Sequence, residues 1–179
     1  MLRAVLYHPE QIQRHLDSGV DVDAIQKTVV QYTENGHSGK TEIDRTYLTI
    51  AVRHDCPDAV RELLACGADP NLGVSAMGYT ALTWAVRVRH IDIARMLLDA
   101  GADPNLRAKT PHSDGQAPVL WAARKNDPEI LRLLLSRGAG PLVKDLNGMT
   151  AMDYAEIWKR EEIKSVLAQH DAISNPAID

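Results

Sequence analysis

The chain has 179 residues, a formal net charge of −4, and 45% hydrophobic but only 4% aromatic residues, with no Phe. No apolar run approaches the roughly 18 residues of a membrane span, and the acidic balance argues against general nucleic-acid affinity. So many small Ala, Val and Leu side chains suit thin packed helical layers better than one large core.

Residues Met1 to Pro9 lack the apolar length and cleavage site of a signal peptide. In chain order, Met1–Tyr7 reads as a helical stub and Pro9–Ser18 as a helix ending at Gly19-Val20-Asp21-Val22-Asp23. Residues 25–45 form an insertion: Thr28-Val29-Val30-Gln31-Tyr32-Thr33 is β-prone, Glu34-Asn35-Gly36 signals a turn, and Thr41-Glu42-Ile43 can return as partner strand. A helix should follow Thr46, and a second should run from Pro57, at a first turn where a missing N–H costs nothing, to Cys66. Cys56 and Cys66 flank that second helix at about 15 Å, against the roughly 7 Å limit for a disulfide. Unpaired thiols and no export signal point to the cytoplasm.

Gly67-Ala68-Asp69-Pro70-Asn71 then returns unchanged, 34 residues later, as Gly101-Ala102-Asp103-Pro104-Asn105. Between the copies stands Thr80-Ala81-Leu82-Thr83-Trp84-Ala85, related to Thr46–Ala51, Ala117–Ala122 and Thr150–Ala155. The next helices repeat the pattern: Ile91, Ile93, Ala94, Leu97 and Leu98, then Ile130, Leu131, Leu134 and Leu135, fall at helical spacing. Glycines 67, 101 and 138 occupy the C-cap position after the last leucines. Glu161, Glu162, Lys164 and Gln169 give the last unit the polar outer surface of a capping repeat, and residues 171–179 read as a flexible tail.

A period in the thirties marks a stacked array. These phrases resemble the ankyrin repeat, T-P-L-H-x-A followed by two helices and G-A-D-x-N, although its His is replaced by Thr49, Thr83, Leu120 and Asp153. The resemblance covers about residues 1–168 and implies an all-α solenoid of helix-turn-helix units joined by β-hairpin loops. The units run over about 1–24, 46–71, 80–105, 117–142 and 150–168, with the hairpin insertion at 25–45. Glycine-to-phrase spacings of 13, 16 and 12 residues against 27 for the first unit place the long hairpin there.

Enzymatic chemistry finds little support. Gly36-His37-Ser38-Gly39-Lys40-Thr41 resembles the tail of a phosphate-binding loop, but Glu34 stands where a glycine is needed and no helix should follow directly. Nucleotide-dependent catalysis at Gly39-Lys40-Thr41 is therefore the unfavoured alternative. His8, His15, His37, His54, His90, His112 and His170 lack metal-ligand spacing, and no catalytic triad can be assembled, so neither metal nor cofactor is expected.

The repeat register is more informative. Arg53, Arg87 and Arg124 stand two residues after the alanine of three consecutive phrases, followed by His54, Val88 with Arg89, and Lys125. The resemblance implies that these positions end the first helix of each unit and face a concave groove. Stacked units should align the arginines about 10 Å apart, with Arg45 joining the row. Met77, Tyr79 and Trp158 belong beside them as binding aromatics and Met, whereas Trp84 and Trp121 read as core between units. The competing explanation is structural, since cations in a helix's last turn are favoured by its dipole. The expected function is protein–protein binding by a monomer, to a partner with an acidic segment, through the groove and first hairpin. An inhibitor or immunity-type protein for a toxin or enzyme is the alternative.

Overall fold

The computed structural model describes residues 19, 21–23, 26–34, 37–72, 79–107 and 116–174. The helices read for residues 1–18 lie outside these. Strand β1 (Gln26–Glu34) pairs antiparallel with β2 (His37–Arg45), in register from Gln26 opposite Arg45 to Glu34 opposite His37. Two residues, Asn35 and Gly36, connect them, and Asn-Gly is the preferred two-residue hairpin connection. Both strands are longer than the β-prone run alone indicates, because register continues as long as partners are available. Gly39, Lys40 and Thr41 lie within β2. A phosphate-binding loop needs its glycine-rich turn to open a helix, so that reading fails on geometry.

Eight helices follow among the described residues: α1 (Tyr47–Arg53), α2 (Pro57–Ala65), α3 (Ala81–Val88), α4 (Ile91–Asp99), α5 (Pro118–Lys125), α6 (Pro128–Ser136), α7 (Ala151–Ile157) and α8 (Glu161–Ser174). Helices α1, α3, α5 and α7 pack side by side in one row, and α2, α4, α6 and α8 in another. Ala51, Ala85, Ala122 and Ala155 are wholly buried, one in each helix of the first row. With only a methyl group there, neighbouring helices approach closely, while Leu63, Leu97, Leu134 and Leu167 fill the space beneath the second row.

The phrase opening each first-row helix works as a cap. Thr46 and Thr80 accept from the backbone N–H groups of Thr49 and Thr83 at 3.1 and 3.2 Å, and each pair of hydroxyls also meets. Thr150 and Asp153 close a reciprocal capping box, with Asp153 N to Thr150 Oγ1 at 3.2 Å and Thr150 N to Asp153 Oδ2 at 2.7 Å. Threonine or aspartate at this fourth position thus braces the helix start by its own hydrogen bonds. Asp55, Arg89, Asn126 and Lys159 turn each pair with positive φ, between 52° and 64°. Such a left-handed residue costs an L side chain about 1–2 kcal/mol unless, like Asn, it bonds locally.

The copied phrase joins one loop to the next. Asn71 Oδ1 accepts from Asp103 N at 2.7 Å, and its amide donates to Gly101 O at 3.1 Å. Asn105 repeats this one unit later, accepting from Gly140 N at 2.7 Å and donating to Gly138 O at 2.9 Å. Asp23 holds the corresponding place before them, its carboxylate accepting from Asp69 N at 3.1 and 3.2 Å. Leu142 occupies the position in the last described loop, where no following loop among the described residues offers partners, and it stands exposed. Replacing Asn105 with Ala should therefore lower stability by about 1–2 kcal/mol, two net hydrogen bonds' worth. Urea denaturation followed by circular dichroism tests this; a change below about 0.3 kcal/mol, the error of such comparisons, would show the staple to be idle.

The second-row helices carry ion pairs on their outer face, Arg137 to Asp99 at 2.9 Å and Arg132 to Glu162 at 3.4 Å, both between neighbouring units. Exposed pairs of this kind contribute little. At the C-terminal side the structure corrects the sequence reading: α8 continues to Ser174, so residues 171–174 are helical. The absence of a long apolar stripe there does not prevent a solvated helix from propagating once the packed turns before it have nucleated it. Residues 175–179 lie outside the described ones.

Candidate functional site

The first-row helices end in arginine at equivalent places: Arg53 in the last turn of α1, Arg87 of α3, and Arg124 with Lys125 of α5. The helix dipole accounts for a cation at each place. It does not account for what the arginines touch. Arg53 Cζ lies 4.3 Å from the Trp84 ring centre, in the next unit. Arg87 Cζ lies 4.7 Å from Trp84 and 4.8 Å from Trp121, and Arg124 Cζ 4.7 Å from Trp121. Arg124 continues to Tyr154 at 5.6 Å and Trp158 at 5.9 Å.

Cations and aromatic rings thus alternate along the row. Each contact of this type contributes about 0.5–2 kcal/mol, rising as water is excluded. The three arginines and Trp84 are half-buried, and Trp121 is buried. Trp121 Nε1 is buried with no hydrogen-bond acceptor among the described residues, so among these the indole is held by its faces and edges. Tyr79 lies perpendicular to both Trp84 and Trp121, with ring centres 5.6 and 6.0 Å away and planes at 87°. This edge-to-face geometry directs the positive ring edge of one at the negative face of another.

One assignment made from sequence changes here, and another is extended. Tyr79, expected at the binding surface, is 4% exposed and packs beneath the column. Trp121 lies in the core and half-buried Trp84 packs against it, as expected, and both also form the rungs between the arginines, which the sequence reading missed. The available signal was local: Trp84 and Arg87, and Trp121 and Arg124, are three residues apart and share a helix face. Trp158 and Val88 are exposed, as a binding surface requires. Lys125 is exposed at the end of α5, while half-buried His54 caps α1 with its N–H on Ile50 O at 3.1 Å.

Arg89 is committed elsewhere. Its Nε donates to Asp127 Oδ2 at 2.8 Å, and Asp127 Oδ1 accepts from Ile130 N to cap α6. The pair ties one unit's turn to the next unit's helix start, which Asp127 ahead of Pro128 marks in the sequence. Arg45 is the last residue of β2, joined through Thr46 to α1. Met77 lies outside the described residues. Among the described residues no three His, Cys, Asp or Glu side chains group as a metal site, and Cys56 and Cys66 form no disulfide. Burial, with Asp55 nearby, pushes the Cys56 thiol up, away from the reactive thiolate form.

At the far end of the column Tyr154 donates its hydroxyl hydrogen to Asp145 Oδ2 at 2.5 Å, and Gln116 Nε2 donates to the Tyr154 oxygen at 3.2 Å. Asp145 Oδ1 accepts from the backbone of Asn147 and Met149, at 2.8 and 2.9 Å. Burial pushes the Asp145 carboxyl up, yet the hydrogen bonds from Tyr154, Met149 and Asn147 outweigh it and hold its pKa below the usual carboxylate value. This ring of contacts fixes Tyr154, and with it Trp158, whose ring centre lies 5.2 Å away.

No helix among the described residues is long and apolar enough to cross a membrane. A family model for ankyrin repeats in three copies matches residues 2–108, and a model for a single ankyrin repeat matches residues 114–146. A search of curated proteins returned no match.

Proposed function

The chain belongs to the ankyrin repeat family, whose arrays generally bind other proteins, and from that premise we propose that it binds a partner's acidic segment along the Arg53–Arg87–Arg124 column. The observation carrying this reading is the state of Arg87. Its guanidinium lies over three aromatic rings, yet among the described residues no carboxylate or carbonyl accepts from it. Stacking uses the faces of a guanidinium and leaves the planar N–H fork able to grip a carboxylate with two hydrogen bonds. Holding the fork in place beforehand removes much of the rotamer entropy that a long side chain loses on binding.

Val88, Lys125 and Trp158 are exposed along the column, where they add apolar and cationic contact. The long hairpin β1–β2, whose second strand ends at Arg45 directly before α1, is a second segment the partner can meet. The test is capture of partners by the intact protein from its native extract, with Arg53, Arg87 and Arg124 changed together to Glu as control. Reversing three charges should abolish capture, since each desolvated charge-assisted contact contributes about 1.5–3 kcal/mol. Unchanged capture by a variant folded by circular dichroism would assign the column to stability alone.

A further inference from the structure

Strand β1 has β2 on one side and, among the described residues, no strand on the other. A two-stranded ribbon is marginally stable by itself, and a third strand or packing against a helix is normally needed. The hairpin's one substantial contact with the described helices is at α1, into which β2 leads. Natural sheets guard open edges with charge, proline or bulges. Strand β2 carries His37, Lys40, Glu42, Asp44 and Arg45. Between Lys27 and Glu34, β1 has no such guard. Thr28-Val29-Val30-Gln31-Tyr32-Thr33 is uncharged and free of proline, and its register with β2 runs without a bulge. The unguarded edge is therefore that of β1.

The register fixes which backbone groups that edge presents. Glu34 and His37 flank a two-residue connection, so they form a hydrogen-bonded pair. Such pairs alternate with open ones along an antiparallel ladder. Even-numbered residues of β1 therefore spend their N–H and C=O on β2, while Lys27, Val29, Gln31 and Thr33 turn theirs to the free edge. A second β1, running antiparallel, matches these groups when Val30 lies opposite Val30. Val29 then pairs with Gln31, Lys27 pairs with Thr33, and all nine residues are used. A slip of one residue sets outward groups against inward ones, and a slip of two leaves two residues of each strand unpaired. No like charges meet in the full register, since Glu34 stands opposite Gln26.

Two further features favour a copy of this chain as the added strand. Alternation places Thr28, Val30 and Tyr32 on one face of the hairpin with Thr41 and Ile43, and self-pairing continues this β-branched and aromatic strip across four strands. Both outer edges of that sheet are then β2 strands, whose outward positions include Lys40, Glu42 and Asp44. Growth stops at two, as a closed two-fold interface requires.

We infer that the protein pairs with a second copy of itself through β1, in the order β2–β1–β1–β2, with the two-fold axis at Val30. A monomer is the expectation from the repeat array, whose units need no second copy to bury their faces; the hairpin edge is what departs from it. The inference is independent of the arginine column.

Sedimentation equilibrium of the intact protein should give twice the chain mass of 19.7 kDa, falling toward one chain on dilution. Gln31→Pro removes an N–H that β2 does not use, and proline is tolerated on an edge when its missing N–H faces outward. This variant should be monomeric with unchanged circular dichroism. Val30→Lys and Val30→Glu each set like charges against each other at the axis and should also be monomeric. Mixed in equal amounts, these two should recover the doubled mass, which a hairpin that merely failed to form would not do. One-chain mass for the native protein at every concentration overturns the inference. A native dimer that persists in Gln31→Pro and in both Val30 variants overturns it as well, placing the contact away from β1.

Discussion

Replacing Trp121 with Ala is expected to remove about 3–5 kcal/mol of stability, the range for truncating a large buried aromatic. Total stability for a domain of this size is about 5–15 kcal/mol, so the variant should be close to unfolding at physiological temperature. Trp121 is 8% exposed, sits 4.8 and 4.7 Å from the cations of Arg87 and Arg124, and packs perpendicular to Tyr79. Its removal thus breaks contacts within its own unit and with its neighbour. In a solenoid, where stability is a sum of unit and interface contributions, such a residue is felt twice.

Trp121→Phe separates the causes. It keeps a ring for both arginines and deletes an indole N–H that has no acceptor among the described residues, so its loss should be under about 1.5 kcal/mol. Chemical denaturation of both variants checks this. If Ala costs no more than Phe, the alternating column is not a structural element and its aromatic rungs are present for binding only.

Asp145→Ala is expected to remove about 2–4 kcal/mol, because it deletes a buried carboxylate that accepts from Tyr154, Asn147 and Met149. It should also change the response to acid. The folded pKa of Asp145 lies below its unfolded value, so its stabilisation is fully present above an unfolded pKa of about 3.9 and is lost as pH falls through the folded value. The native protein should therefore lose stability steeply below about pH 4, and Asp145→Ala less steeply. Asp153, whose pKa is lowered by hydrogen bonds from Thr150, acts in the same direction and leaves the variant a residual slope. Asp23 acts oppositely: burial raises its pKa despite the hydrogen bond from Asp69, so its protonation offsets part of the loss. Denaturation midpoints from about pH 2.5 to 7, a range spanning both carboxylate states, test the assignment, and identical slopes in the two proteins would rule Asp145 out as the group responsible.

The position of the arginines was legible without coordinates, because one residue type recurred at one place in three successive phrases. Their partners were not. Trp84 and Trp121 have the helical spacing of core residues, and hydrophobic periodicity ranks a tryptophan as core wherever it falls on the apolar face. Tyr79 illustrates the reverse: next to a loop it looks exposed, yet the rings of Trp84 and Trp121 bury it. Arg89 reads from sequence as a further groove cation, but its Nε is bound to Asp127, 38 residues away.

What the sequence determined by itself is the set of features written in short range: the period, the Thr caps, the Gly ends of the second-row helices, the Asn-Gly hairpin and the arginine row. Apart from the period, each depends on contacts within about four residues, where backbone sterics and local hydrogen bonds dominate. Tertiary structure alone decided which faces meet: the Asn71 and Asn105 staples, the Arg89–Asp127 tie, and the placement of Trp84 and Trp121 between cations of successive units. The staples and the tie join residues 30 to 38 positions apart. They arise only when one unit stacks on the next, because the packing distance between helices fixes which side chains can touch.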